Sequence, residues 1–346
     1  MSEKIAILGA GNMGTALAFV LSSKHKNIRL FTIEPDVVDD INTDHENKKY
    51  LPGVILPEDI TAYGDIEDSV KGATIIILSV PSHIIPTMTK NINNFLKGNE
   101  IIINVAKGID AKTHKRMSEI IEANIDKRFK KNVVSLSGPS IAHEIGKNLP
   151  TAVVISSKNP KILARAQKAL TTKVVTVQIN NDLIGVELGG SLKNSMAIAV
   201  GIADALKLGC NAKSLVMSSG FYEMMYLGVK MGANPITFCG LSGVGDLIAT
   251  SEGGRNRKLG FMIGSGKSVD EAQKEIGQVT EGVAAAKMMV ELAKEYKIKL
   301  PLAEEVYNIL YNNKNPKKAI EDFVYRKSVH EFDKDFLKCV CRNIKK

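Results

Sequence analysis

Tryptophan is absent from this chain of 346 residues, cysteine occurs only 4 times, and aromatic residues make up 5% of the total. The cysteines (Cys210, Cys239, Cys339 and Cys341) are scattered and form no CxxC pair, which excludes a secreted disulfide framework and a zinc ribbon. No metal site is expected. No basic stripe is interleaved with aromatics, so a nucleic-acid surface is excluded as well. Apolar runs are short: the densest, such as Ile75–Val80, have strand length, far below the ~18 residues that cross a bilayer. Stable membrane insertion is therefore not expected. The N-terminus, MSEKIAILGAG, enters a strand-and-turn pattern at once, with no signal-peptide core, and a cytoplasmic location is expected. With 44% apolar and 24% charged residues, the chain is ordinary for a globular protein and long enough for two domains.

There are 46 Lys and Arg against 37 Asp and Glu, a formal charge of +9. That balance suits anionic ligands, but the lysines are dispersed. The densest group (Lys314, Lys317, Lys318, Lys345, Lys346) reads as solvated surface.

The first half alternates aliphatic runs with helical patterns. Strand character is found at Ile5–Leu8, Ile28–Phe31, Thr74–Val80, Ile101–Val105, Val133–Leu136, Ala152–Ser156 and Val174–Val177, with helix-like stretches between several of them. The runs are apolar at successive positions, as in strands covered on both faces. After about Asn181 strand-like runs cease and long helical patterns follow. The pattern predicts an α/β fold: an N-terminal Rossmann-type doubly wound sheet over residues 1–181, then an all-helical C-terminal domain over residues 182–346.

Between the first strand and the first helix stands Gly9-Ala10-Gly11-Asn12-Met13-Gly14, a GxGxxG in its confirming context. Gly9 permits the tight turn, Gly11 lets backbone approach a pyrophosphate, and Gly14 lets helix pack on strand. The second strand ends in Ile33-Glu34. Glu34 could accept from ribose hydroxyls and would repel a 2′-phosphate, so the residues favour NAD over NADP. Gly264-Ser265-Gly266-Lys267-Ser268 imitates a P-loop, but Phe261 stands where its first glycine belongs, and the segment reads as a helix–helix loop.

Four polar clusters interrupt apolar segments: Val105-Ala106-Lys107-Gly108, Ser137-Gly138-Pro139-Ser140, Leu188-Gly189-Gly190-Ser191-Leu192-Lys193-Asn194, and Gly243 to Arg257 with Asp246, Thr250, Gly254, Arg255 and Asn256. Glycines inside a predicted helix cost stability, which points to a close backbone or ligand approach there. Two lysines, an aspartate, a threonine and an Arg-Asn pair suit an anionic, oxygen-rich substrate. On residues alone, a different two-domain reductase or a catalytically dead dinucleotide sensor remains open.

In this order GxGxxG, NVAKG, SGPS, ELGGSLKN, GLSGVGDLIATSEGGRNRK and QVTEG, together with INTDHENKKYLPG, resemble the NAD(P)-dependent glycerol-3-phosphate dehydrogenases, from the N-terminus to about Asn313. The resemblance implies reversible hydride transfer between NAD(P)H and dihydroxyacetone phosphate, giving sn-glycerol 3-phosphate for phospholipid synthesis. It implies Lys193 as proton donor to the carbonyl oxygen, with Lys107, Asp246 and Thr250 as catalytic partners. Gly138, Ser140, Gly254, Arg255 and Asn256 would line the substrate site, the last two clamping the phosphate. Gly9, Gly11, Asn12, Met13, Gly14, Ile33, Lys107, Ala142, Arg255, Val279 and Glu281 would contact the cofactor. Many bacterial members carry Arg where this chain has Ile33, which agrees with a preference for NAD. A homodimer is expected on family grounds.

Overall fold

A computed structural model of the chain describes residues 3–326 and 331–344. In chain order the first half contains β1 (Ile5–Leu8), α1 (Asn12–Ser22), β2 (Ile28–Phe31), α2 (Pro35–Asp39), β3 (Ile60–Tyr63), α3 (Ile66–Val70), β4 (Ile75–Leu78), α4 (Ile85–Asn93), β5 (Ile101–Asn104), α5 (Met117–Asn124), β6 (Val133–Ser137), α6 (Ala142–Gly146), β7 (Thr151–Ser156), α7 (Pro160–Leu170) and β8 (Val175–Ile179). The second half contains α8 (Leu183–Ala205), α9 (Gly209–Lys230), α10 (Pro235–Phe238), α11 (Asp246–Glu252), α12 (Arg255–Gly264), α13 (Val269–Ile276), α14 (Glu281–Glu295), α15 (Pro301–Tyr311), α16 (Pro316–Val324) and α17 (Lys334–Ile344). Packing divides the chain into two compact units: Met1–Asp110 with Lys115–Leu183, and Ala111–His114 with Ile184–Lys346.

The first unit holds one sheet of eight strands in the order β3-β2-β1-β4-β5-β6-β7-β8. From β3 to β6 all neighbours are parallel, the doubly wound arrangement, with its reversal of order between β1 and β4. Alternate residues of one strand feed opposite faces: Ile5, Ile7, Ile75, Ile77, Ile101 and Ile103 enter one core cluster, and Ala6, Leu8, Ile76, Leu78 and Ile102 the other. That explains why these strands carry unbroken apolar runs. The last two strands depart from a fully parallel sheet. β7 pairs antiparallel with β6, and β8 is parallel to β7. Only the short α6 separates β6 from β7, too little for a full crossover helix, so the chain folds back instead.

The second unit is helical among the described residues. Its longest helix, α8, is buried along most of its length. Glu223 of α9 is fully buried and accepts the backbone N–H groups of Leu302 (2.6 Å) and Ala303 (2.9 Å), capping the start of α15. The C-terminal α17 docks on α9 through aromatic rings, Phe336 against Tyr222 and Tyr226 at centroid distances of 4.8 and 5.4 Å. The loop Gly264–Ser268 does join two helices, and Ser268 opens α13 with a capping box to Glu271. Of the lysine-rich group, Lys314 is half-buried and ion-paired with Glu305 (2.6 Å) and Asp322 (2.8 Å); Lys345 and Lys346 lie outside the described residues.

Candidate active site

In the first unit the glycine turn follows β1. The φ of Gly9 is +113°, and a Cβ there would lie 2.7 Å from the Ser79 carbonyl oxygen. A Cβ on Gly14 would lie 1.9 Å from the carbonyl oxygen of Gly9. Both glycines are thus demanded by the protein's own packing. Gly11 differs: its backbone is ordinary, and nothing lies within 4 Å of where its Cβ would point. The missing side chain serves nothing inside the protein and leaves the backbone at the start of α1 open to a ligand. That helix begins at Asn12, Met13 and Gly14 with no side-chain cap and no acidic residue in its first turn. Its leading N–H groups and positive end are the donor set a pyrophosphate requires. Nearby, the buried Ser79 hydroxyl at the end of β4 has no hydrogen-bond partner among the described residues. These features fit a dinucleotide.

A brace absent from the motif reading holds this turn. The Asn47 amide, 1% exposed, donates to the Ala10 carbonyl (2.7 Å) and to the Thr15 hydroxyl (2.8 Å). Asn47 lies in the segment INTDHENKKYLPG, which thereby braces the glycine turn.

At the end of β2, Ile33 is 82% exposed. Glu34 accepts from Lys49 and from the Tyr50 hydroxyl (2.7 Å). Chiefly the Lys49 hydrogen bond, then Tyr50, hold its carboxyl below the usual carboxylate range. Glu34 therefore does not present a bare carboxylate, and an ammonium stands beside it. Lys49, fifteen residues further on, thus offsets the repulsion of a 2′-phosphate expected from Glu34 alone.

The ends of β5 and β6 come together. Asn104, buried, pairs through its side chain with both N–H and C=O of Ala106, turning the chain. Lys107 then donates to the Gly138 carbonyl (3.1 Å), which also accepts from the Ser140 hydroxyl (3.1 Å). Ala142 opens α6 and, with Met13, packs partly buried on the core of this unit.

In the second unit Lys193 is 5% and Asp246 2% exposed. The Lys193 ammonium donates to Asp246 Oδ1 at 2.8 Å and to the Thr250 hydroxyl. Lys193 projects from α8, and Asp246 and Thr250 lie one turn apart on α11. Asp246, Thr250, Arg255 and Asn256 all sit on helices. Gly189 explains the approach of the two segments: a Cβ on it would lie 2.6 Å from the Ser242 carbonyl oxygen, in the turn that leads into α11.

Gly254, at a φ of +106°, precedes α12, whose first turn starts with Arg255 and Asn256. Arg255 is exposed and donates to the Gln278 side chain at 3.4 Å. Asn256 is instead 8% exposed and tied inward: it donates to Asn194 Oδ1 (3.0 Å) and accepts from the Gly282 N–H (3.0 Å). Asn194 in turn donates to Glu281 at 3.5 Å. Val279 is 46% exposed beside this knot in the sequence. Each unit thus assembles its own share of the residues singled out. No cluster of three or more metal-ligating side chains occurs among the described residues.

The chain is similar to known proteins. The family model described as NAD-dependent glycerol-3-phosphate dehydrogenase N-terminus matches residues 4–163, and its C-terminal counterpart matches residues 182–321. A glycerol-3-phosphate dehydrogenase [NAD(P)+] of Bacillus cytotoxicus is 40% identical over 332 residues, 95% of this chain and 97% of the relative. One of a Thermoanaerobacter species is 41% identical over 330 residues, covering 95% and 98%. The crystal structure of glycerol-3-phosphate dehydrogenase from Coxiella burnetii superposes with a TM-score of 0.88 at 36% identity, covering 94% of this chain and 99% of that one. Matched by both family models over most of its length and by relatives at about 40% identity, this chain belongs to the NAD-dependent glycerol-3-phosphate dehydrogenase family.

Proposed function

We propose that, in reducing dihydroxyacetone phosphate to sn-glycerol 3-phosphate, this NAD(P)-dependent oxidoreductase uses Lys193 as the acid that protonates the carbonyl oxygen. The observation that carries this reading is the Lys193 ammonium, buried and aimed by Asp246 at 2.8 Å and by Thr250. NAD(P)H, when bound, supplies the hydride. Reduction builds negative charge on the ketone oxygen, and a fixed ammonium in a water-poor site both stabilises that charge and delivers the proton. Asp246 and Thr250 act as positioning residues, setting the direction of the ammonium. In the reverse direction Lys193 takes the proton back.

Arg255 is the phosphate clamp on this reading. Its planar guanidinium is exposed at the open, positive start of α12, where anions are favoured. Gly254 leaves backbone accessible, and Asn256, tied inward, holds that first turn in place. Lys107 with Gly138 and Ser140 serves as further substrate contact. Gly9, Gly11, Asn12, Met13, Gly14, Ile33, Lys107, Ala142, Arg255, Val279 and Glu281 serve the cofactor, Gly11 through its open backbone. Residues 1–181 then form the dinucleotide-binding domain and residues 182–346 the substrate domain, a division supported by the extents of the two family matches. A cytoplasmic location and a homodimer complete the proposal. Exposed thiols on Cys210, Cys239 and Cys341 suit a reducing compartment.

The test is oxidation of NADH and NADPH with dihydroxyacetone phosphate beside unphosphorylated dihydroxyacetone. Wild-type turnover favours the phosphorylated ketone, and Lys193→Met lowers kcat by about a hundredfold to ten-thousandfold while nucleotide affinity persists. Full turnover by Lys193→Met would overturn the role. Sizing of the purified protein by light scattering decides the dimer.

A further inference from the structure

We propose that Arg257 is a positioning residue for phosphate selectivity: its grip on Asp204 sets the rotation of α12 against α8, and so the aim of Arg255. The proposal rests on the reading of Arg255 as the phosphate clamp.

The two helices meet in a regular way. Asn256 sits on Asn194, Gly260 on Ile198 and Gly264 on Ile202. Four residues along one helix match four along the other, so α12 runs beside α8 in the same direction. The backbones are very close. A Cβ on Gly260 would lie 2.0 Å from the Ile198 carbonyl oxygen, and one on Gly201 would lie 2.1 Å from that of Arg257. Glycine contacts of this kind fix separation and register, yet they offer no side-chain bulk against rolling of one helix on the other.

Asn256 pins the first turn to Asn194 at one point, and Arg257 adds the second grip that a fixed rotation needs. Its Nε and Nη2 both donate to Asp204 Oδ2, at 2.9 and 2.6 Å. Asp204 Oδ1 faces Lys213 of α9 at 3.3 Å, so the acceptor is itself held. Asp204 lies three turns along α8 from Lys193, on the same face. Arg257 follows Arg255 by two residues within the first turn of α12. Arg255 is exposed and its hydrogen bond to Gln278 is long, 3.4 Å, so its direction follows that of the helix rather than its own packing. A fork on Asp204 thereby keeps clamp and acid in one frame.

The experiment compares Arg257→Ala, Arg257→Lys, Asp204→Asn and Arg255→Ala in the full chain. Readouts are kcat and KM for dihydroxyacetone phosphate, the preference for it over dihydroxyacetone, the inhibition constant of inorganic phosphate, and the melting temperature. Arg257→Ala and Asp204→Asn raise KM and the phosphate inhibition constant together, about tenfold, with the preference ratio falling in step and kcat moving little. Arg257→Lys is intermediate, because lysine keeps the charge without the two-nitrogen grip. Should Arg257→Ala fail to accumulate, the other two variants carry the same readout. A loss of kcat on both ketones with an intact preference ratio would mark a merely structural role and overturn the inference. So would intact phosphate constants in Arg257→Ala and Asp204→Asn when Arg255→Ala has lost its preference. If Arg255→Ala keeps the preference, the clamp reading has failed and takes this inference with it.

Discussion

Gly189 of α8 lies directly beneath the carbonyl of Ser242, so close that an added methyl carbon would stand 2.6 Å from that oxygen. The contact lets the turn before α11 settle against the helix that carries Lys193, four residues away. It turns a residue that weakens helices into one the active site needs.

Gly189→Ala should push that turn outward and carry Asp246 and Thr250 away from the Lys193 ammonium. The expected result is a stability loss of about 1–3 kcal/mol from overpacking. A fall in kcat of about a hundredfold should accompany it, as for a misplacement near 1 Å. Thermal melts and steady-state kinetics on the same preparation check both, and wild-type kcat would show that the contact is slack.

The pairing of Glu34 with Lys49 bears on cofactor choice. Glu34→Gln should weaken Lys49's engagement and leave its ammonium available to a 2′-phosphate, raising the NADPH-to-NADH ratio of kcat/KM by about tenfold. Lys49→Gln should lower it. Measuring all four constants tests this; a ratio unmoved by either change sinks it.

Glu223 gives a pH signature. Burial, the largest influence, pushes its carboxyl up to about 8, against the opposing pull of the Leu302 and Ala303 N–H groups. The folded chain therefore holds this proton where the unfolded chain has released it. Stability from this group is full below about pH 4.5, the ordinary value, and is lost as pH rises toward about 8. The melting temperature of the wild type should fall across that window. Glu223→Gln, which does not titrate, should start lower through loss of one capping bond and show a flatter profile. Parallel slopes in the two proteins would refute the assignment.

Gly14→Ala should abolish nucleotide binding and destabilise the first unit, since its methyl group would stand 1.9 Å from the Gly9 carbonyl oxygen. Gly11→Ala meets open space. It should fold normally and lose affinity only for the nucleotide, by about tenfold, seen by fluorescence titration.

Much of this was legible because sequence-local physics sufficed. β1, β4, β5 and β6 are covered on both faces and announce themselves as unbroken apolar runs, and the glycine turn sits between a strand and a helix it helps to define. β3 was invisible: Ile60-Thr61-Ala62-Tyr63 alternates buried with half-buried positions and is too short to stand out. The helical start of α12 is masked in the sequence by Gly253 and Gly254 before it, and by Gly260 and Gly264, which lower its helical propensity. Those last two glycines are repaid only by contact with Ile198, Ile202 and Ala205, roughly sixty residues earlier in the chain. The chemical types Lys193, Asp246 and Thr250 could be picked out, but their meeting across 53 residues could not. Nor could the Asp204–Arg257 fork, since a charged pair at that separation leaves no periodic trace.

The four-residue step shared by α8 and α12 also limits how this chain can change length. Between Lys193 and Asp204 one added residue would swing everything beyond it by about 100° and slide it by about 1.5 Å. The glycine contacts would then meet side chains instead of backbone. Insertions can be absorbed in the short link between α8 and α9, or after Gly264, but within those three turns of α8 the number of residues is itself part of the catalytic geometry.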